Sequence, residues 1–246
     1  MSDKVVISVD HATVRFNLAI QKQMGMKEYL ARLTHRQLLF QEFFALKDVN
    51  LTVRQGESWG FVGKNGSGKS TLLKLITGIL QPYSGRVTVQ GQVAPLLELG
   101  AGFDPELTGR ENIMMNGLIL GMSKADIAAR FDEIVAFSEL ERFLDVPLKN
   151  YSLGMRSRLG FSVATCSRPD ILIADEVLST GDRVFQAKCE ARIAEMLAGG
   201  TTLLFVSHSP GAVRKLCSKT MWLHEGTVKM VGDTAEVLDA YEGRAM

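Results

Sequence analysis

The chain has 246 residues, 46% of them apolar and 22% charged, with 28 Lys and Arg against 27 Asp and Glu for a formal net charge of +1. That length and apolar content suit one α/β domain with a lobe attached, or two small domains, and the charge balance removes any global electrostatic case for nucleic-acid binding. Cys166, Cys189 and Cys217 share no metal-ligand spacing and suit buried reduced thiols, no apolar run reaches the roughly eighteen residues of a membrane span, and no signal-like core follows Met1, so a membrane role has to come through a partner.

Residues 5–9 and 13–16 alternate enough to predict two short strands, and 46–53 predict another before the turn Arg54-Gln55-Gly56-Glu57. Between them, 17–44 interrupt the pattern. Met26, Leu30 and Leu33 fall at helical spacing, with Lys22, Lys27, Arg32 and Arg36 against the lone Glu28 up to Phe40, which predicts an inserted basic amphipathic helix. Its charge suits an anionic membrane face or an acidic lipid pyrophosphate, and its apolar stripe equally suits packing on the strands.

Next comes the apolar run Trp59-Gly60-Phe61-Val62, then Gly63-Lys64-Asn65-Gly66-Ser67-Gly68-Lys69-Ser70-Thr71, then Leu72-Leu73-Lys74-Leu75-Ile76. A buried strand running into a glycine turn that opens a helix is the setting in which this spacing forms a phosphate loop. Backbone N–H groups and the helix dipole surround the anion, Lys69 adds a point charge, Ser70 is placed to ligate Mg²⁺, and Thr71 helps hold the phosphates. Nucleoside triphosphate binding follows.

The phosphate-loop helix ends near Gly78, and 86–89 and 93–97 are strand-like. The character then turns helical. A loop at 100–105, a helix over 108–121 and a capping box at Ser123-Lys124-Ala125-Asp126 predict a helical lobe over about 104–167. Strands resume at 171–174, 201–206, 220–223 and 228–231, separated by helical stretches 184–197 and 212–217, which argues for a mostly parallel sheet covered by helices.

Asp175-Glu176 follows the buried run Ile171-Leu172-Ile173-Ala174. A carboxylate there reaches Mg²⁺ through water, and a second beside it takes a proton from an attacking water, which phosphoryl transfer to water requires. An Asp-Glu at a strand end is common by chance, but beside a phosphate loop it carries weight. His208 leaves the strand-like run Phe205-Val206 on the same sheet edge, within reach of a γ-phosphate. In Asn150-Tyr151-Ser152-Leu153-Gly154-Met155-Arg156-Ser157-Arg158, Ser152 reads as an N-cap and Gly154 leaves the helix start open, a second anion-binding terminus with Arg156 and Arg158 nearby.

Ser152-Leu153-Gly154-Met155, the acidic pair 175 − 152 = 23 residues on, Asp182 and His208 together resemble the ATP-binding subunits of ABC transporters, over nearly the whole chain. The resemblance implies a P-loop ATPase domain with a RecA-like core, an antiparallel β subdomain and a helical subdomain, binding ATP and Mg²⁺. It also implies a head-to-tail homodimer, in which Ser152, Gly154 and Met155 of one subunit complete the nucleotide site of the other. Leu96-Leu97-Glu98-Leu99-Gly100-Ala101-Gly102-Phe103, followed by Leu107-Thr108-Gly109-Arg110-Glu111-Asn112-Ile113, narrows the likeness to exporters of bacterial surface polysaccharides of the O-antigen, capsule and teichoic acid kinds.

Four residues depart from the wider family. Glu98 stands where most members carry a glutamine that senses Mg²⁺ and the membrane subunit, Leu153 replaces a small residue, Met155 a glutamine, and Val177 a proline; Glu98 and Met155 fit the exporter group. Phe16 and Phe40 are rivals for the aromatic that stacks on adenine, with Phe16 carried forward. The resemblance implies a peripheral subunit on the cytoplasmic face of the inner membrane, paired with a separate permease that moves a lipid-linked polysaccharide. The other reading is a soluble ABC ATPase acting on nucleic acid or ribosomes. Only 226–246 follow the last predicted strand turn, so the expectation is one ATPase domain over 1–246 with no carbohydrate-binding domain after it.

Overall fold

The computed structural model describes residues 4–19, 40–96, 102–175 and 183–243. Strand β1 (Val5–Ala19) pairs antiparallel with β2 (Phe40–Arg54) on one side and β4 (Ser84–Val89) on the other, forming a three-stranded sheet. A second sheet runs β5 (Val93–Pro95), β6 (Ile171–Ala174), β7 (Thr202–Val206), β3 (Ser58–Val62), β8 (Lys219–His224) and β9 (Thr227–Asp233). Its pairings are parallel except β8 with β9. β6 and β7 are buried along their whole length, as continuous apolar runs covered by helices on both faces must be, whereas β9 at the edge alternates.

Helices α1 (Lys69–Ile76), α5 (Arg183–Ala198), α6 (Pro210–Leu216) and α7 (Thr234–Tyr241) accompany this sheet. Between β5 and β6 the chain leaves it for a lobe of α2 (Gly109–Ile119), α3 (Lys124–Ser138) and α4 (Leu153–Cys166), with 3-10 turns at Glu141–Phe143 and Leu148–Asn150. The lobe has its own core, including Ile113, Ile127, Ile134, Leu159 and Val163, because the three helices bury one stripe each against one another. Phe137 of α3 and Phe161 of α4 stack at 5.7 Å, and Phe185 of α5 meets Phe137 edge-on at 5.8 Å, which joins lobe to sheet. Burial pushes the Cys166 thiol up to about 11 and those of Cys189 and Cys217 to about 12, so all three are inert core groups.

Two expectations change at the N-terminal end. The strands expected at 5–9 and 13–16 are one strand, which passes through His11 at φ +48° with a register shift between Val9 and Ala12. The insertion is also shorter than 17–44. Asn17 pairs with Glu42 and Ala19 with Phe40, because an antiparallel ladder satisfies these backbone groups and the Arg15–Glu42 ion pair holds it in register. Of the stretch 17–44 in which the basic helix was expected, residues 20–39 lie outside the described residues.

Candidate nucleotide site

The site grows from the end of β3. Val62 is the last residue of the strand, α1 begins at Lys69, and Gly68 is its N-cap at φ +105° and ψ 1° with no side-chain cap. A Cβ on Gly68 would stand 2.7 Å from Leu46 Cδ2 and 2.8 Å from the Ala45 carbonyl oxygen, so only glycine lets β2 sit down on the loop. The β8–β9 turn closes on the same place. Gly226 N–H donates to Ser67 O at 3.0 Å, Lys47 N–H donates to Gly226 O at 2.7 Å, and a Cβ on Gly226 would stand 2.7 Å from that Ala45 oxygen.

Lys69 is buried, and its ammonium donates to the carbonyls of Gly63 at 2.7 Å and Lys64 at 3.1 Å, which places a positive charge inside the loop. The Ser67 hydroxyl is buried without a hydrogen-bond partner among the described residues. Burying a hydroxyl that way costs roughly 1–3 kcal/mol, and a bound phosphate oxygen removes the cost, so the loop fits an anion.

A cavity of about 280 Å³ opens beside the loop, lined by Asn65, Gly66, Ser67, Gly68, Lys69, Ser70 and Thr71 together with Phe16, Phe43, Ala45, Asp175, Val206 and His208. Topology explains the convergence. β6, β7 and β3 are neighbours in parallel register, so Asp175 just past β6, Val206 and His208 at and past the end of β7, and the loop past β3 all emerge at one sheet edge. Ser70 and Asp175 both face the cavity and are oxygen donors of the kind Mg²⁺ takes alongside phosphate oxygens. Gly63 and Lys64 form the entry to the loop and stand just outside the lining.

Ser152, Gly154 and Met155 are not part of this cavity. They begin α4 on the helical lobe, where the Ser152 hydroxyl accepts from the Met155 N–H at 3.2 Å, as an N-cap should. Arg156 and Arg158, expected near this helix start, both engage groups of the protein itself. Arg156 donates to the carbonyls of Leu148 at 3.2 Å and Lys149 at 3.4 Å, clamping the 3-10 turn before the helix, and Arg158 pairs with Glu139 at 2.7 Å and lies 4.7 Å over the Phe185 ring. Leu153 stays 77% exposed. Glu98, Glu176, Val177 and Asp182 lie outside the described residues, as does the side chain of the rival aromatic Phe40. Phe16 lines the cavity, and so does Phe43, which the sequence reading missed. Its signal was the aromatic pair Phe43-Phe44 directly before the strand expected at 46–53, at the end of a stretch assigned to a helix.

A family profile described as ABC transporter matches residues 46–179. The O-antigen export system ATP-binding protein RfbB of Klebsiella pneumoniae is 42% identical over 242 residues, covering 96% of this chain and 97% of that protein. The protein of the same name from Myxococcus xanthus is 50% identical over 197 residues, and the alignment takes in 80% of this chain but only 45% of that longer relative. Among solved structures, a dimeric ATP-binding cassette in a post-hydrolysis state bound to ADP and Pi superposes with a TM-score of 0.73 at 22% identity, covering 93% of this chain and 98% of that one. The shared fold, a profile spanning more than half of the sequence and a relative aligned from end to end at 42% identity lead to one conclusion: the chain belongs to the ABC transporter family of ATPases.

Proposed function

We propose that the chain is the ATP-binding and ATP-hydrolysing subunit of an exporter that moves a lipid-linked surface polysaccharide, of the O-antigen or capsule type, across the bacterial cytoplasmic membrane through a separate permease. The observation that carries the reading is the division of the site. One cavity gathers Phe16, the phosphate loop, Asp175 and His208, while Ser152, Gly154 and Met155 stand on another lobe, as they must if a second copy uses them. The names of the relatives supply the cargo class, and the solved cassette of the same fold is a dimer. No described helix is long and apolar enough to cross a membrane, which fits a peripheral subunit beneath a permease at the cytoplasmic face.

In this reading Lys69 and the loop amides hold the β- and γ-phosphates, and Phe16 stacks on adenine. Ser70 and Asp175 hold Mg²⁺, which when bound neutralises phosphate charge. Glu176 takes a proton from water as its oxygen bonds to the γ-phosphorus and the bond to the β–γ bridging oxygen breaks, while His208 hydrogen-bonds the γ-phosphate. Asp182 and the partner's Ser152–Met155 segment complete the enclosure, and Glu98 senses Mg²⁺ and the permease. Purifying the tagged chain from membranes of its own host should recover a multi-span membrane protein together with ATPase activity. Recovery only with ribosomes or nucleic acid would favour the soluble alternative and overturn the export reading.

A further inference from the structure

In the β1–β2 ladder Phe16 lies directly opposite Phe43. Cross-strand partners point to the same face with Cβ atoms about 4.5–5.5 Å apart, so both side chains rise from one face of the ladder. Both line the cavity at the phosphate loop, and both are exposed, at 37% and 47%. These two neighbouring phenylalanines give the mouth of a polar cavity an apolar surface that faces whatever the cavity holds.

The surroundings hold this pair in place. On the opposite face Arg15 donates to Glu42 at 2.5 Å and lies 4.0 Å over the Tyr83 ring, fixing the register around Phe16 and Phe43. Ala45 is the extra residue of a bulge between the pairs Val14–Leu46 and Arg15–Phe44, a device that re-aims neighbouring side chains. The Ala45 carbonyl is the atom that Gly68 admits, so backbone packing fixes the spacing between the rings and the phosphate loop.

We infer that Phe43 is a second nucleobase-binding residue, forming with Phe16 a platform two rings wide on which the base of the bound nucleotide lies. The inference rests on the nucleotide reading proposed above. Every base presents a π-face, so each ring contributes by stacking without a hydrogen bond to the base edge.

The test measures binding of Mg-ATP and of tripolyphosphate, which has no base, to the purified full chain. Phe43→Ala should weaken ATP binding about 5- to 100-fold, the alanine-substitution range for one stacked base, and leave tripolyphosphate binding unchanged. Phe43→Leu, which keeps apolar bulk but no ring, should lose nearly as much, and Phe43→Tyr should restore ATP affinity. Should the alanine variant fold poorly, the leucine and tyrosine pair decides. Equal ATP affinity in those two overturns the platform, as does a parallel loss of ATP and tripolyphosphate. Lys69→Ala separates the two claims. If it loses both ligands while Phe43→Ala binds ATP normally, the platform alone fails; if it binds both as the native chain does, the nucleotide reading fails and takes the platform with it.

Discussion

Gly68 and Gly154 look alike in the sequence, yet the structure gives them opposite sensitivities. Gly68→Ala forces a left-handed non-glycine residue, costing roughly 1–2 kcal/mol before its Cβ meets Leu46 and the Ala45 carbonyl, so we expect a lower unfolding midpoint and lost ATP binding. At Gly154 a Cβ would meet nothing closer than the Ser152 hydroxyl at 3.8 Å, and alanine is the better helix former by about 1 kcal/mol. Gly154→Ala should therefore melt no lower than the native chain and bind ATP normally, yet turn ATP over more slowly, since only an approaching second copy has reason to reject the methyl. Full turnover in that variant would count against the shared-site dimer. At this scale the phosphate loop, Asp175 and His208 were legible because their spacing and strand context are local. The destinations of Arg156 and Arg158 were not, since a charge in a sequence does not say which carbonyl or carboxylate its long side chain will reach.

Among the elements, helix starts were the most readable. Thr108 and Ser123 both form reciprocal capping boxes, with Glu111 and Asp126, and Ser152 caps α4 as its spacing implied. Hydrogen bonds from Thr108 hold the Glu111 carboxyl below its ordinary value, and those from Ser123 do the same for Asp126, as acceptors at helix N-termini require. The entry to α2 depends further on Asn112, fully buried, whose amide donates to the carbonyls of Asp104, Leu107 and Thr108 and accepts from the Asp104 N–H. Asn112→Ala should cost roughly 1–3 kcal/mol by stranding these groups, read as a lower denaturation midpoint, with Asn112→Asp recovering little because it donates nothing to the carbonyls. An unchanged midpoint would show that water replaces the amide. The hairpin of β1 and β2 was read less well. Its outer residues alternate too briefly to outweigh the helical periodicity beside them, and the pairing that settles the matter is between residues 16 and 43, invisible to any local window.

At the scale of the whole molecule, a few carboxylates tie separate layers together. Glu57 is 6% exposed and accepts from Arg54 N–H at 2.9 Å, Trp59 Nε1 at 2.8 Å and Lys219 Nζ at 2.7 Å, linking β2, β3 and β8. Burial pushes its carboxyl up, but these bonds outweigh burial and leave it below its ordinary 4.5. A hydrogen bond from Arg192 lowers Glu133, and one from Lys188 lowers Glu139, both between lobe and α5. A depressed carboxyl stabilises the fold above its unfolded value, and that share is lost as pH falls through the folded one. The unfolding midpoint should therefore hold steady from pH 7 to about 5 and drop below the ordinary carboxylate range, more shallowly in Glu57→Gln. Identical slopes for the two proteins would remove Glu57 from the account.

The seat shared by Ala45, Gly68 and Gly226 also sets a timetable. A ribosome that has finished Thr71 must still add 226 − 71 = 155 residues before the turn that bonds Ser67 exists, a wait on the order of ten seconds at about 5–20 residues per second. A nascent chain ending before Lys219 already carries every nucleotide motif but lacks the strand pair that holds the loop closed. Chains stalled there should pass through an ATP-agarose column, and chains stalled once Gly232 has cleared the exit tunnel should be retained. That pair of outcomes would mean that an unfinished subunit takes up no nucleotide before it has a fold to couple it to.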